Sequence, residues 1–248
     1  MSPTGRRVLG AGLVWVIGAA VFRLTLLAPE QCPDLTVDQA RAAAVAGADW
    51  IVANQEDTGR YLYSYDRTTQ GPAEAGYNGV RHAGTTMALY QLVEAGETQY
   101  LEPADRAVDF MLDRSVETGP DALAWSMNDA DPKLGSVALL TVALAHRRLA
   151  TGDPRFDDTL RSLGRHMVGQ QEPDGVMLNY WRRSTGQADP AIRSRYATGE
   201  ALWALALLHD AFPDEGWDDA AWPTLDYLSL RRDAEEELFP RPWPDQWA

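Results

Sequence analysis

The stretch Tyr77–Tyr90, YNGVRHAGTTMALY, carries Asn78, Arg81 and His82 in a polar loop that runs straight into an apolar helix through Gly84. The arrangement recurs as DPKLGSVALL from Asp131 and as RYATGEALWAL from Arg195, each with a polar lead-in, a glycine and then an apolar helix. Overlaying Gly84, Gly135 and Gly199 sets a repeat of about 50 to 65 residues. Repeats of that length describe a solenoid or a closed ring of hairpins, in which each unit buries its apolar face against the next.

Within each unit the two helices differ. The first is apolar on nearly all sides (TTMALYQLV, SVALLTVALA, EALWALALL), which places it in a buried inner layer. The second, as in ADRAVDFMLDR and FDDTLRSLGRHM, puts Asp and Arg on one face and belongs on the outside. The pattern predicts helices over 37–54, 81–95, 103–115, 134–150, 154–170, 198–211 and 217–230. Thr36 followed by Gln39 has the spacing of a capping box at the first of these. The turn TGDPRF supplies a glycine stop and a proline start between two others. Between helices, YLYSYD and VMLNYW read as short extended pieces. The class is all-α: two concentric helix layers forming an α/α toroid or part of one.

The pieces NQEDTGRYLYSYD (54–66) and GQQEPDGVMLNYW (169–181) share a Gln, then a Gly, then an aromatic ending. In this they resemble the repeats of α/α toroids, the fold of terpenoid cyclases, prenyltransferase β-subunits and the six-hairpin glycosidases with their related epimerases and lyases. The resemblance covers 37 to the C-terminus. It implies a carbohydrate-active protein of glycosidase type, with a polysaccharide or oligosaccharide as partner. A six-hairpin ring has twelve helices and about seven are counted here, so the resemblance also implies a truncated member or a second chain completing the ring. On that pattern 37–54 is an outer helix, and FPRPWPDQWA at the end leads toward its inner partner.

Composition sets the remaining bounds. With 248 residues and 45% hydrophobic content the chain is long enough to bury a substantial core. A net charge of -14 repels phosphate backbones and argues against nucleic acid. Residues 1–29 place Arg6 and Arg7 before an apolar run from Val8 to Phe22. That is the layout of a signal anchor or signal peptide, and it predicts a domain over 30–248 held outside the membrane, or secreted if the signal is cleaved. Cys32 is the only cysteine, which excludes an internal disulfide and a thiolate metal cluster. His146, His166 and His209 show no metal spacing, so neither a metal nor a cofactor is expected.

In a ring of hairpins all inner helices begin at one mouth. That gathers Tyr65, Asp66, Asn78, Arg81, His82, Trp125, Asp129, Asp131, Lys133, Tyr180, Trp181, Tyr196, Glu200 and Asp245. Aromatic rings among carboxylates and a few cations suit glycan binding, and Lys133 is the single lysine of the chain. Tyr65, Asn78, Arg81, Trp125, Lys133, Tyr180 and Trp181 are the expected substrate contacts. Asp66 and Glu200 are the expected carboxylate pair for glycosidic hydrolysis. Alternatively, Asn78 and Arg81 neutralise a uronate carboxylate while His82 or Tyr196 handles the C5 proton, as a lyase or C5-epimerase requires. A non-catalytic helical-repeat scaffold, binding a protein or glycan on its concave face, is the third reading.

Overall fold

The structure, a computed structural model, describes residues 3–27, 34–73 and 76–236. Cys32 and the C-terminal stretch with Asp245 lie outside the described residues. The chain divides into two compact units, Met1–Ala43 and Ala44–Ala248. Helix α1 (Pro3–Thr25) belongs to the first, with Val14, Trp15 and Leu24 each more than 70% exposed along it. Among the described residues no helix is long and apolar enough to cross a membrane. Helix α2 (Val37–Ala53) starts where expected. Thr36 N–H donates to Gln39 Oε1 at 3.0 Å and Gln39 N–H donates to Thr36 Oγ1 at 3.2 Å, the two reciprocal bonds of the capping box.

In the second unit the helices alternate between layers as the repeats predict. The inner helices are α3 (Gly79–Glu94), α5 (Leu134–Thr151) and α7 (Ala197–Ala211). The outer ones are the part of α2 from Ala44 on, α4 (Leu101–Leu112), α6 (Asp157–Gly169) and α8 (Trp217–Asp226), with a short α9 (Arg232–Glu235) following. Helix α5 packs between α3 and α7, and every residue from Leu134 to Ala145 is buried, so its apolar circumference has neighbours on all sides. At the end of α5 away from the mouth, Arg147 ties the layers together. Its Nε–H donates to Asp105 Oδ1 at 2.8 Å and its Nη2–H to Asp153 at 3.1 Å, while Tyr90 O–H donates to Asp105 at 2.6 Å. This joins α3, α4 and α5 through one largely buried guanidinium, whose charge is matched by carboxylates.

The extended pieces are smaller and more numerous than the alternation suggested. In YLYSYD only the last two residues form a strand, β1 (Tyr65–Asp66), paired with β2 (Gly71–Pro72). Two further antiparallel hairpins are β3 (Ser115–Gly119) with β4 (Ala122–Trp125), and β5 (Trp181–Arg182) with β6 (Gln187–Ala188).

The Gln-to-Gly motif has a mechanical role. The Gln55 side-chain amide donates to Pro103 O of α4 at 2.9 Å, and the Gln171 amide donates to Ala220 O of α8 at 2.6 Å. One turn further along each outer helix the backbone of the glycine arrives. Gly59 and Gly175 hold φ +87 and +89, and a Cβ on them would run into Arg106 O and Pro223 O. Each loop thus clips the next outer helix in the chain, by a side-chain amide and a close backbone approach that only glycine permits.

Candidate functional site

Helices α3 and α5 begin side by side. Asn78 is the N-cap of α3, its Oδ1 accepting from Arg81 N–H at 3.2 Å. Trp125 is fully buried, with Nε1–H donating to Ser136 O at 2.8 Å, and its ring lies 3.0 Å from where a Cβ on Gly79 would stand. It pins the two helix starts together from below. This corrects the expectation that Trp125 contacts substrate: an indole with no exposed face and a spent N–H cannot stack on a sugar.

Above it opens a cavity of about 260 Å³ lined by Tyr77, Asn78, Met127, Asp131, Lys133 and Ser136, among others, near the small end of ligand-pocket sizes. Its rim includes Asn128, which with Asp129 holds a left-handed backbone (φ +51 and +56). Consecutive non-glycine residues in that region store strain of a kind that collects at ligand sites.

Lys133 is the N-cap of α5, and its Nζ lies 5.6 Å from the centroid of the Tyr180 ring. It makes no ion pair among the described residues. The segment carrying Tyr180 docks on the start of α5, with Leu134 N–H donating to Asn179 O at 2.8 Å and Trp181 N–H to Pro132 O at 3.1 Å. Arg182 braces it, pairing with Asp131 at 2.8 Å and Asp189 at 2.7 Å. The Arg182 guanidinium, with Arg183 N–H, holds the Asp131 carboxyl below the usual carboxylate range. Side chains alternate along a strand, so Tyr180 and Arg182 take one face and Trp181 the other. Trp181 accordingly lines a separate groove with His166 and Gln187, and the expected Tyr180–Trp181 platform is split by the pleat.

Other expected residues go elsewhere. His82 is 2% exposed and stacks on Phe110 with centroids 4.9 Å apart. Its Nε2 lies 3.1 Å from Ala107 O, a carbonyl that can only accept, so Nδ1 is the atom that accepts from Tyr77 O–H at 2.6 Å. Burial pushes its pKa down to about 4. It is a neutral core histidine joining α3 to α4, which corrects its assignment as a proton carrier for substrate. Arg81 turns its guanidinium onto Tyr63, donating to the hydroxyl at 2.8 Å. Tyr65 sets its ring edge on Trp50 of the outer helix α2, 6.1 Å between centroids.

Asp66 accepts Thr68 N–H at 2.7 Å, capping the β1–β2 turn, and that bond holds its carboxyl low. Glu200 is 4% exposed between the inner helices, its Oε2 occupying the space a Cβ on Gly135 would need. Neither lines any of the described cavities, so none of these cavities presents the expected Asp66–Glu200 pair. Tyr196 stands 41% exposed at the start of α7. The mouth cavity therefore brings together Asn78, Asp131 and Lys133 from the predicted set, with Tyr180 beneath the lysine. The Asp131–Arg182–Asp189 brace joins residues 51 apart in sequence, a separation that local patterns do not reveal. Among the described residues no cluster of His, Cys, Asp or Glu is arranged to hold a metal ion.

No protein-family model and no curated protein matches the chain. Solved structures do. An inactive variant of a family 76 α-1,6-mannanase from Salegentibacter, in complex with α-1,6-mannotriose, superposes with a TM-score of 0.55 at 15% identity over 62% of this chain and 47% of that one. A family 76 α-mannanase of Bacteroides thetaiotaomicron gives 0.55 at 16% identity over 75% and 56%. A sugar epimerase from a ruminal bacterium gives 0.58 at 18% identity over 76% and 53%. The fold is thus that of the α/α toroids, and the chain spans about half the length of the solved structures it matches. The inactive mannanase variant carries two consecutive Asp-to-Asn changes. The consecutive aspartates of this chain, Asp157–Asp158 and Asp218–Asp219, lie in the first turns of the outer helices α6 and α8.

Proposed function

We propose that the protein is a carbohydrate-active enzyme of the glycoside hydrolase type, holding an oligosaccharide at the mouth where α3 and α5 begin. The observation that carries this reading is Lys133. A cation with no ion pair among the described residues, at the N-cap of an 18-residue helix, opposes the helix dipole, and nothing in the described packing requires it. With Tyr77 and Asn78, which line the same cavity, it sets a charge beside an aromatic side chain and an amide, which is what a sugar ring with polar substituents takes. Of the nearby carboxylates, Asp131 is kept ionised by Arg182 and suits the nucleophile or base. Glu200, buried with its carboxylate against Gly135 in the first turn of α5, is the carboxyl proposed as proton donor.

The reading predicts a trade-off. Lys133→Met raises stability by about 0.3–1 kcal/mol by removing the adverse helix-end charge, while oligosaccharide affinity falls about tenfold. Denaturant unfolding and calorimetric titration with α-1,6-mannotetraose and tetragalacturonate measure the two. A variant that is less stable, or that binds as the parent does, removes Lys133 from the site. Hydrolysis is read as new reducing ends that disappear in Glu200→Gln with binding retained. A second reading, a uronate lyase or C5-epimerase, is favoured by the same free cation, which fits a sugar carboxylate. Unsaturated product or solvent deuterium at C5, without reducing ends, selects it.

The exposed Val14 and Trp15 within the apolar run Val8–Phe22, with Leu24 just beyond it on α1, support a tether holding the array on the outer face of a membrane. The full chain is then expected in the membrane fraction and a chain starting at Asp34 in the supernatant. Equal partition of the two rules the tether out.

A further inference from the structure

The far face of the β5–β6 hairpin closes a second groove, of about 470 Å³, against the β3–β4 hairpin and the last turns of α6. Trp181 lines it with Arg165, His166, Gln187 and Thr118. Three features distinguish it from the mouth.

None of its lining residues is Asp or Glu. In a chain of net charge -14 the other described clefts each carry at least one: Asp158, Asp131, Asp218 and Asp129 stand in them respectively. Arg165 is held by neutral acceptors, its Nε–H donating to Asp121 O at 2.8 Å and its Nη2–H to Ser162 Oγ at 3.3 Å. It has no carboxylate partner among the described residues, so its charge is available. His166 is 3% exposed, with Nδ1 2.8 Å from Thr118 Oγ1 and Nε2 buried without a partner among the described residues. Burial keeps the ring neutral, its pKa pushed down to about 4. With that nitrogen closed off, the imidazole contributes a neutral wall to the groove.

We infer that this groove is a second saccharide-binding site, separate from the mouth, that selects an acidic sugar: a uronate ring on Trp181 with its carboxylate paired to Arg165. The groove's volume suits a short oligosaccharide. A guanidinium whose other hydrogen bonds go to neutral oxygens can offer a carboxylate a charge-assisted bond. Neutral Gln187 and Thr118 serve hydroxyls without repelling an anion. The inference does not depend on the mouth being catalytic.

The test is calorimetric titration of the full chain in a Lys133→Met background, so that affinity at the mouth does not mask the groove. The probes are tetragalacturonate and neutral α-1,6-mannotetraose. The acidic probe is expected to bind more tightly, to weaken with salt, and to lose about tenfold or more in affinity with Trp181→Ala, the loss of one central contact. Arg165→Gln is expected to abolish the preference for the acidic chain while leaving the weaker neutral binding. Thermal unfolding of both variants at the parent temperature certifies their fold. No binding of tetragalacturonate, parent-like binding in Trp181→Ala, or equal affinity for the neutral chain each overturns the inference. A failure of this kind leaves the Lys133 and reducing-end experiments at the mouth unaffected.

Discussion

Gly59→Ala and Gly175→Ala are each expected to lower the unfolding free energy by about 3–5 kcal/mol, the sum of backbone strain and overpacking. Both residues hold a left-handed backbone, and both press against a carbonyl of an outer helix, Arg106 O and Pro223 O. An added methyl group must push that helix away, which also stretches the neighbouring Gln55 or Gln171 bond to the same helix. Melting temperature should fall by roughly 10 °C for a chain of this size. Gly152 and Gly186 are the internal controls: their φ values are +70 and +68, but a Cβ there meets nothing within 4 Å. Alanine at those positions is expected to cost only the left-handed strain, about 1–2 kcal/mol. Equal losses at all four glycines would show that the close approach contributes nothing.

Acid is expected to destabilise the array well above the range where carboxylates titrate. His82 and His166 are buried with folded pKa values of about 4, while in the unfolded chain they titrate near the usual 6.5. Between those values the unfolded chain binds protons that the folded chain refuses. Stability is therefore full above pH 6.5, falls as pH drops through the window, and has lost the whole contribution below about 4. Each histidine contributes about 3 kcal/mol across it, at 1.36 kcal/mol per unit. Asp131, Asp153 and Asp189, whose pKa values are lowered, act only at more acid pH, so the window belongs to the histidines. Urea unfolding at pH 7, 5.5 and 4.5 measures the slope, and His166→Leu should roughly halve it. A flat profile from 6.5 to 4.5 would mean that these imidazoles are solvated.

The layering was readable because inner and outer helices obey different periodicities. A segment apolar all round, such as SVALLTVALA, has one place to go, and α5 is where the sequence puts it. The capping box at Thr36 was readable because it is local. The Gln-to-Gly motif was visible as a pattern, but its role was not, since the helix each loop clips lies 48 or 49 residues downstream. His82 looked exposed because its immediate neighbours are polar. Counted along α3, it shares a stripe with Thr86, Leu89 and Val93, all buried, and that spacing is the signal that places it inside. Trp181 was misplaced by one step of the pleat: adjacent aromatics in an extended segment face opposite ways, and only the hairpin partner Ala188 shows which way is which.

The two clips also have a direction. Gln55 and Gly59 precede the helix they hold, α4, and Gln171 and Gly175 precede α8. A chain emerging from its N-terminus therefore presents these two receptor loops before the helices that fill them, so α4 and α8 each follow their seat in the chain. The reverse order does not hold: α8 formed without the loop at 171–175 has nothing to receive it. For these two outer helices the order along the chain is loop first and helix second, so losing either loop removes the seat of a helix that comes after it.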